Sequence, residues 1–130
     1  MSLVDPISDA LVSIKNSGQA AKTACEIRPA SKLLGKILHV LQQHEYISTF
    51  ELVDDGREGI YRIQLVGKIN DVKAIKPRYA VKKGEFEKYE KRYLPSKDIG
   101  LLIVSTSKGV LTHKAAKSEN IGGRLIAFVY

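Results

Sequence analysis

Residues 105–108 of this 130-residue chain read Ser-Thr-Ser-Lys and follow the apolar run 101–104 with no spacer. That run has the length and composition of a buried strand, so a rigid element would deliver the hydroxyls to one fixed place on the surface. Ser and Thr hydroxyls both donate and accept. They therefore suit sugar hydroxyls, phosphate oxygens and base edges. Ser105 and Ser107, two apart at a strand end, are expected to share a face while Thr106 points away. In the shallow RNA minor groove, lined with 2′-hydroxyls, such a pair can read shape and edge together. The same residues also permit a turn whose hydroxyls satisfy only its own backbone N–H groups.

An enzymatic alternative starts from the same place. Ser105-Thr106-Ser107-Lys108 matches S-x-x-K, in which a Lys helps to activate a nucleophilic Ser. No S-D-N or K-T-G companion occurs, and His113, the candidate base, has no carboxylate placed by motif. The chain is therefore not read as an enzyme, and a small serine hydrolase using Ser105 and Lys108 stays as an alternative. His39, His44 and His113 lack metal-ligand spacing, and neither nucleotide-binding glycine motif is present. No metal and no cofactor are expected.

Two backbone features add to the hydroxyl cluster. Gly122-Gly123 reads either as a turn needing positive φ or as bare backbone that lets N–H groups approach a phosphate or base. Pro29-Ala30-Ser31-Lys32 reads as a helix start, where exposed N–H groups and Lys32 attract phosphate or Ser31 simply caps.

Charge points to the same class of partner. The net charge is +7, with 21 Lys and Arg against 14 Asp and Glu, so an anionic partner is favoured, nucleic acid ahead of membrane. Residues 1–67 carry net −1, residues 68–97 net +6 and residues 98–130 net +2. The asymmetry marks an electrostatic footprint in the middle third, with Lys76 and Arg78 as candidate phosphate contacts. A basic protein that binds nucleic acid without specificity is the other alternative. The single cysteine, Cys25, excludes an internal disulfide and suits a reducing compartment. Asp5, Pro6 and Asp9 interrupt any secretory core, and no apolar run approaches the ~18 residues of a membrane span. A soluble cytoplasmic protein with no membrane partner is expected.

The elements that must position these groups are readable in outline. Asp5-Pro6 opens a helix with Ile7, Ala10, Leu11 and Ile14 on one face, ending near Asn16-Ser17-Gly18. Residues 23–28 form a short strand stopped by Pro29, and Ser31 caps a helix with Leu34, Ile37, Leu38 and Leu41 on one face. Residues 46–53 and 60–66 flank a Gly- and Asp-rich turn as a hairpin. Beyond the change of character at 67–71, residues 72–75 form a strand. Residues 82–92 form a charged segment, and its Phe86 and Tyr89 with the following Tyr93 either pin a short helix or stack on RNA. Residues 101–106 are a strand, 112–117 a short helix and 124–130 a final strand. The economical architecture is α+β in two lobes.

The specific element is Gly100-x-x-Ile103-Val104-Ser105-Thr106-x-x-Gly109-Val110-Leu111, then Ala116-Lys117. Together with Asp5-Pro6-Ile7-Ser8-Asp9-Ala10-Leu11, Pro29-Ala30-Ser31-Lys32-Leu33 and Ile121-Gly122-Gly123, it resembles the universal small-subunit ribosomal protein family eight over essentially the whole chain. The resemblance implies two small, closely packed α+β domains. Residues 1–67 would run α-β-α-β-β, and residues 68–130 would be mostly β with a short helix and the Ser-Thr-Ser loop. It implies a primary ribosomal RNA binder that holds an irregular stem in the central domain of small-subunit RNA and helps order the platform during assembly. Ser105, Thr106 and Ser107 would meet the minor groove, with Lys108 and the Gly122-Gly123 turn nearby and Ser31 and Lys32 on the backbone. Neighbouring small-subunit proteins of families five and twelve are the implied protein partners, and some members also bind a similar stem in their own messenger RNA. Residues 74–95, Gly122-Gly123-Arg124-Leu125 and Phe128-Val129-Tyr130 look archaeal rather than bacterial, so bacterial aromatic contacts are not carried over to Tyr79.

Overall fold

The computed structural model describes residues 5–130 except Pro29, Asp55 and Lys97. The strand stop expected at Pro29, and the parts of the hairpin turn and basic stretch at Asp55 and Lys97, lie outside the described residues. The architecture is α+β, and the chain divides into two units, the first ending at Ile69 and the second covering Asn70–Tyr130.

In the first unit, α1 (Pro6–Gln19) starts where the Asp5 carboxylate accepts from the N–H groups of Ile7 and Ser8, both at 3.1 Å. Those two donors have no partner inside the helix, which is why an acidic cap is favoured there. Strand β1 (Ala24–Ile27) leads to α2 (Lys32–Gln43), whose first turn is capped by Ser31 Oγ accepting from Leu34 N–H at 3.1 Å. Strands β2 (Ile47–Val53) and β3 (Ile60–Leu65) complete an antiparallel sheet of order β1-β3-β2. The apolar stripes Ile7, Ala10, Leu11 and Ile14 of α1 and Leu34, Ile37, Leu38 and Leu41 of α2 are buried. Tyr61 of β3 ties sheet to helix by donating its hydroxyl to the Ser31 carbonyl at 3.1 Å.

The second unit runs β4 (Val72–Ala74), β5 (Ala80–Val81), α3 (Phe86–Tyr93), β6 (Leu101–Thr106), β7 (Gly109–Thr112), α4 (His113–Ser118) and β8 (Gly123–Val129). Its antiparallel sheet has order β4-β8-β6-β7, and β5 shares the β4 edge of β8 further along, at Gly123 and Arg124. Leu102, Val104, Leu125 and Phe128 of the sheet pack with Phe86, Tyr89 and Leu94 of the α3 region and Ala116 of α4. Phe86 and Tyr89 are therefore core residues that pin a helix, and no base can stack on them.

Two strands went unread in the sequence. The two residues of β5 are too short to show any alternation. In β7 the run Gly-Val-Leu-Thr reads as loop until its pairing with β6 is seen. The last helix also begins one residue later than expected. Thr112 is its cap rather than its first residue, accepting from Ala115 N–H through Oγ1 at 3.1 Å.

Leu102 is fully buried on the central strand that carries the hydroxyl cluster. Leu102→Ala should lower the unfolding free energy by about 2–5 kcal/mol in urea denaturation, with the midpoint falling at unchanged slope. A loss below about 1 kcal/mol would mean that this strand is not packed as described.

Candidate nucleic-acid interface

The hydroxyl cluster sits at the β6–β7 hairpin. Thr106 pairs with Gly109, so Ser107-Lys108 is a two-residue turn. Gly109 takes φ +106°, which an L side chain rarely adopts, and this lets the strands re-pair at once. Thr106 Oγ1 donates to the Gly109 carbonyl at 2.7 Å and accepts from Lys108 N–H at 3.1 Å. Thr106 is thus consumed by the turn, while Ser105 and Ser107 are exposed. Ser107 stands in the turn rather than on the strand, so the shared-face argument from strand alternation does not apply to it. The expected trio resolves into one clamp and two solvent-facing hydroxyls.

Of the two readings of Gly122 and Gly123, the positive-φ turn does not hold. Neither is among the glycines of positive φ. A Cβ at Gly122 would strike the Val81 carbonyl of β5, and one at Gly123 would strike the Ser105 carbonyl of β6. The pair is therefore required by close backbone approach where β8 threads between its neighbours. One register position on, Arg124 lies opposite both Ser105 and Ala80. Its exposed guanidinium donates through Nη1 to the Arg78 carbonyl at 3.5 Å. The fold so brings Arg78, Arg124, Gly123 and Ser105 together around β8. Arg124 was missed as a site residue, and its signal was its place on a strand directly after the glycine pair.

The remaining candidates divide by what already holds them. Lys76 and Arg78 are exposed on the segment between β4 and β5. Tyr79, just beyond, is covered: the Arg92 guanidinium lies 5.2 Å from its ring centroid and the Tyr89 ring 5.6 Å away. Lys108 Nζ donates to the Glu119 carboxylate at 2.7 Å, and that bond holds Glu119 below the usual carboxylate range. Ser31 and Lys32 belong to the first unit, where the Ser31 hydroxyl is engaged as a cap and Lys32 is exposed.

What holds the hairpin in place is a buried polar chain. Strand β7 leaves the sheet at His113, just where the Leu102 N–H of β6 would need its next partner. The His113 ring supplies it, with Nδ1 accepting from Leu102 N–H at 3.0 Å. A neutral imidazole that accepts at Nδ1 carries its proton on Nε2. That atom lies 3.3 Å from Glu90 Oε1, off the line of a good hydrogen bond. The same Glu90 oxygen accepts from Lys117 Nζ. Burial pushes the His113 imidazole below its ordinary value, against the pull of Glu90 and with the help of Lys117 and Lys114. A fully buried ring engaged at Nδ1 cannot serve as base to the exposed Ser105 or Ser107, and Lys108 Nζ donates to the Glu119 carboxylate rather than to either serine. The geometry gives the hydrolase alternative no support.

A family model described as Ribosomal protein S8 matches residues 5–130.

Two outcomes check this geometry. Because His113 binds its proton less readily when folded, the unfolded chain holds more protons below its ordinary value of 6.5. Stability should fall as pH drops below 6.5, and His113→Asn, whose Oδ1 sits where Nδ1 does and so keeps an acceptor for Leu102 but cannot titrate, should lessen that slope. A wild-type profile with no fall below that value contradicts it. Gly123→Ala should lower both the melting temperature and the affinity for nucleic acid, because β6 must move at Ser105 to admit the methyl group. An unchanged melting temperature would remove the close-approach explanation.

Proposed function

The chain belongs to the ribosomal protein S8 family, and from that premise we propose that it is a primary binder of an irregular stem in the central domain of small-subunit ribosomal RNA. Membership itself carries the coarser statement: a small-subunit ribosomal protein that binds ribosomal RNA in translation, from a structural rather than an enzymatic family. The finer reading adds a role in ordering the platform during subunit assembly. It adds contacts with small-subunit proteins of families five and twelve, residence on cytoplasmic ribosomes, an archaeal type of sequence, and binding to a similar stem in the protein's own messenger RNA.

The observation that carries the reading is the solvent-facing pair Ser105 and Ser107 on a turn locked by Thr106, with Arg124 as the cross-strand neighbour of Ser105. Small hydroxyls on a rigid turn can enter a shallow minor groove and exchange hydrogen bonds with 2′-hydroxyls and base edges. Exposed cations alongside, Arg78 and Arg124 among them, supply attraction and positioning without reading sequence. In this reading Gly122 and Gly123 present bare backbone beside the hydroxyls, Lys76 meets phosphate, and Ser31 with Lys32 offers a helix start to the RNA backbone. The second reading, an unspecific basic binder, is favoured by one observation: residues 68–97 hold net +6 of the total +7.

Binding of the intact protein to the central-domain stem, equal-length duplex DNA and unrelated RNA stems across a salt series separates the two readings. Preference for the one stem that persists at higher salt is expected. Equal binding to all three that collapses with salt would leave only the basic protein. Ser107→Leu should weaken the specific complex by about 1–3 kcal/mol, with little effect on the others. Unchanged affinity in a folded variant would sink the assignment. Arg78→Gln should weaken all targets alike and make the salt slope shallower by about one unit.

A further inference from the structure

Of the cations around the hydroxyl turn, two are already matched by carboxylates. Lys117 donates to the buried Glu90, and Lys108, at the tip beside Ser107, donates to Glu119 at 2.7 Å. The Lys108–Glu119 pair is unlike the Lys117–Glu90 pair in being open to water on both sides, with side chains 57% and 50% exposed. Glu119 is also well anchored. It is the C-cap of α4, its backbone N–H bonding to the carbonyl of Ala115, so its carboxylate is presented to the turn by a fixed backbone. The tip of a surface suited to nucleic acid thus holds its one turn lysine on an acidic partner supplied from the next element.

A phosphate and the Glu119 carboxylate compete for the same ammonium, since both are anionic oxygen acceptors. We propose that Glu119 is a specificity-determining residue: it withholds Lys108 from indiscriminate phosphate contact, so that the turn engages RNA through Ser105 and Ser107 and not through charge. An exposed ion pair is weakly held and readily exchanged, so the lysine is restrained rather than lost. A correctly shaped RNA, already docked on the hydroxyls, can draw Lys108 across, whereas a duplex that merely passes must displace Glu119 first. The result is a tip that adds little to unspecific binding while the cations of residues 68–97 still attract. This inference rests on the RNA-binding reading for its purpose, but the contact itself is measurable without it.

The test is a cycle of Glu119→Gln, Lys108→Gln and the double variant, each bound to a mixed-sequence duplex DNA and to the central-domain RNA stem across a salt series. With Lys108 released, Glu119→Gln should tighten duplex binding on the order of fivefold at 0.1 M salt and steepen its salt slope by about 0.9 unit, the effect of one added phosphate contact. Affinity for the stem should change less, so the ratio of specific to unspecific affinity falls. In the Lys108→Gln background the same change at Glu119 should have almost no effect. Unchanged or weaker duplex binding by Glu119→Gln overturns the inference. Equal tightening with and without Lys108 also overturns it, because that is the response to net charge alone. If the unaltered protein shows no preference for the stem, the functional reading fails instead, and the duplex arm still reports on the Lys108–Glu119 contact.

Discussion

Glu90 is a carboxylate where the packing calls for an apolar side chain, and the second unit is arranged around that fact. It is 5% exposed, on the buried face of α3 shared with Phe86 and Tyr89. A buried charge is tolerated only when it is paired and hydrogen-bonded. Lys117 brings the cation in from α4, its long stem letting the head stay at the edge, where the side chain is 41% exposed. His113 brings a neutral N–H edge from the other end of α4, while its second nitrogen completes the hydrogen bonding of β6 at Leu102. The carboxylate so ties α3 to α4 through Lys117, and His113 ties α4 to the central strand. The hairpin that presents the hydroxyl turn lies between its two attachment points, Leu102 and His113.

The surface built on that frame separates shape from charge. Thr106 is spent on locking the turn, which leaves Ser105 and Ser107 as small polar groups at fixed positions. The glycine pair lets β8 pass between β5 and β6 without steric conflict, and the same close approach sets Arg124 beside Ser105. Arg92 is stacked between Tyr79 and Tyr93 at 5.2 and 5.3 Å, so part of the positive charge near this edge is fixed in place rather than free to follow any phosphate. Pre-positioned donors lose less entropy on binding than mobile ones.

Legibility followed the range of the interaction. The caps at Asp5 and Ser31 and the stripes of α1 and α2 were readable because each is decided within a few residues of chain. Strand β6 was readable from its unbroken apolar run, and the hydroxyls from following it directly. The close approach that requires Gly122-Gly123 was not readable because the obstacles are carbonyls of Val81 and Ser105, distant in sequence, and local turn geometry says nothing about them. Glu90 was passed over as one charge in a charged segment. Its spacing of four from Phe86 put it on the apolar face, and that was the available signal.

By itself, the sequence determined the α+β class, the principal helices and the strand that ends in hydroxyls, because periodicity, caps and turn residues act over one or two turns of chain. It also carried the family signature and the basic middle third. Only the tertiary structure decided which hydroxyl is a clamp and which are free. Only it could put Arg124 beside Ser105, set Glu119 on Lys108, and bury Glu90 between His113 and Lys117. The physical reason is that a side chain's availability depends on what long-range packing brings within about 3 Å of it, and hydrogen bonds and ion pairs at that distance leave no periodic trace in the chain.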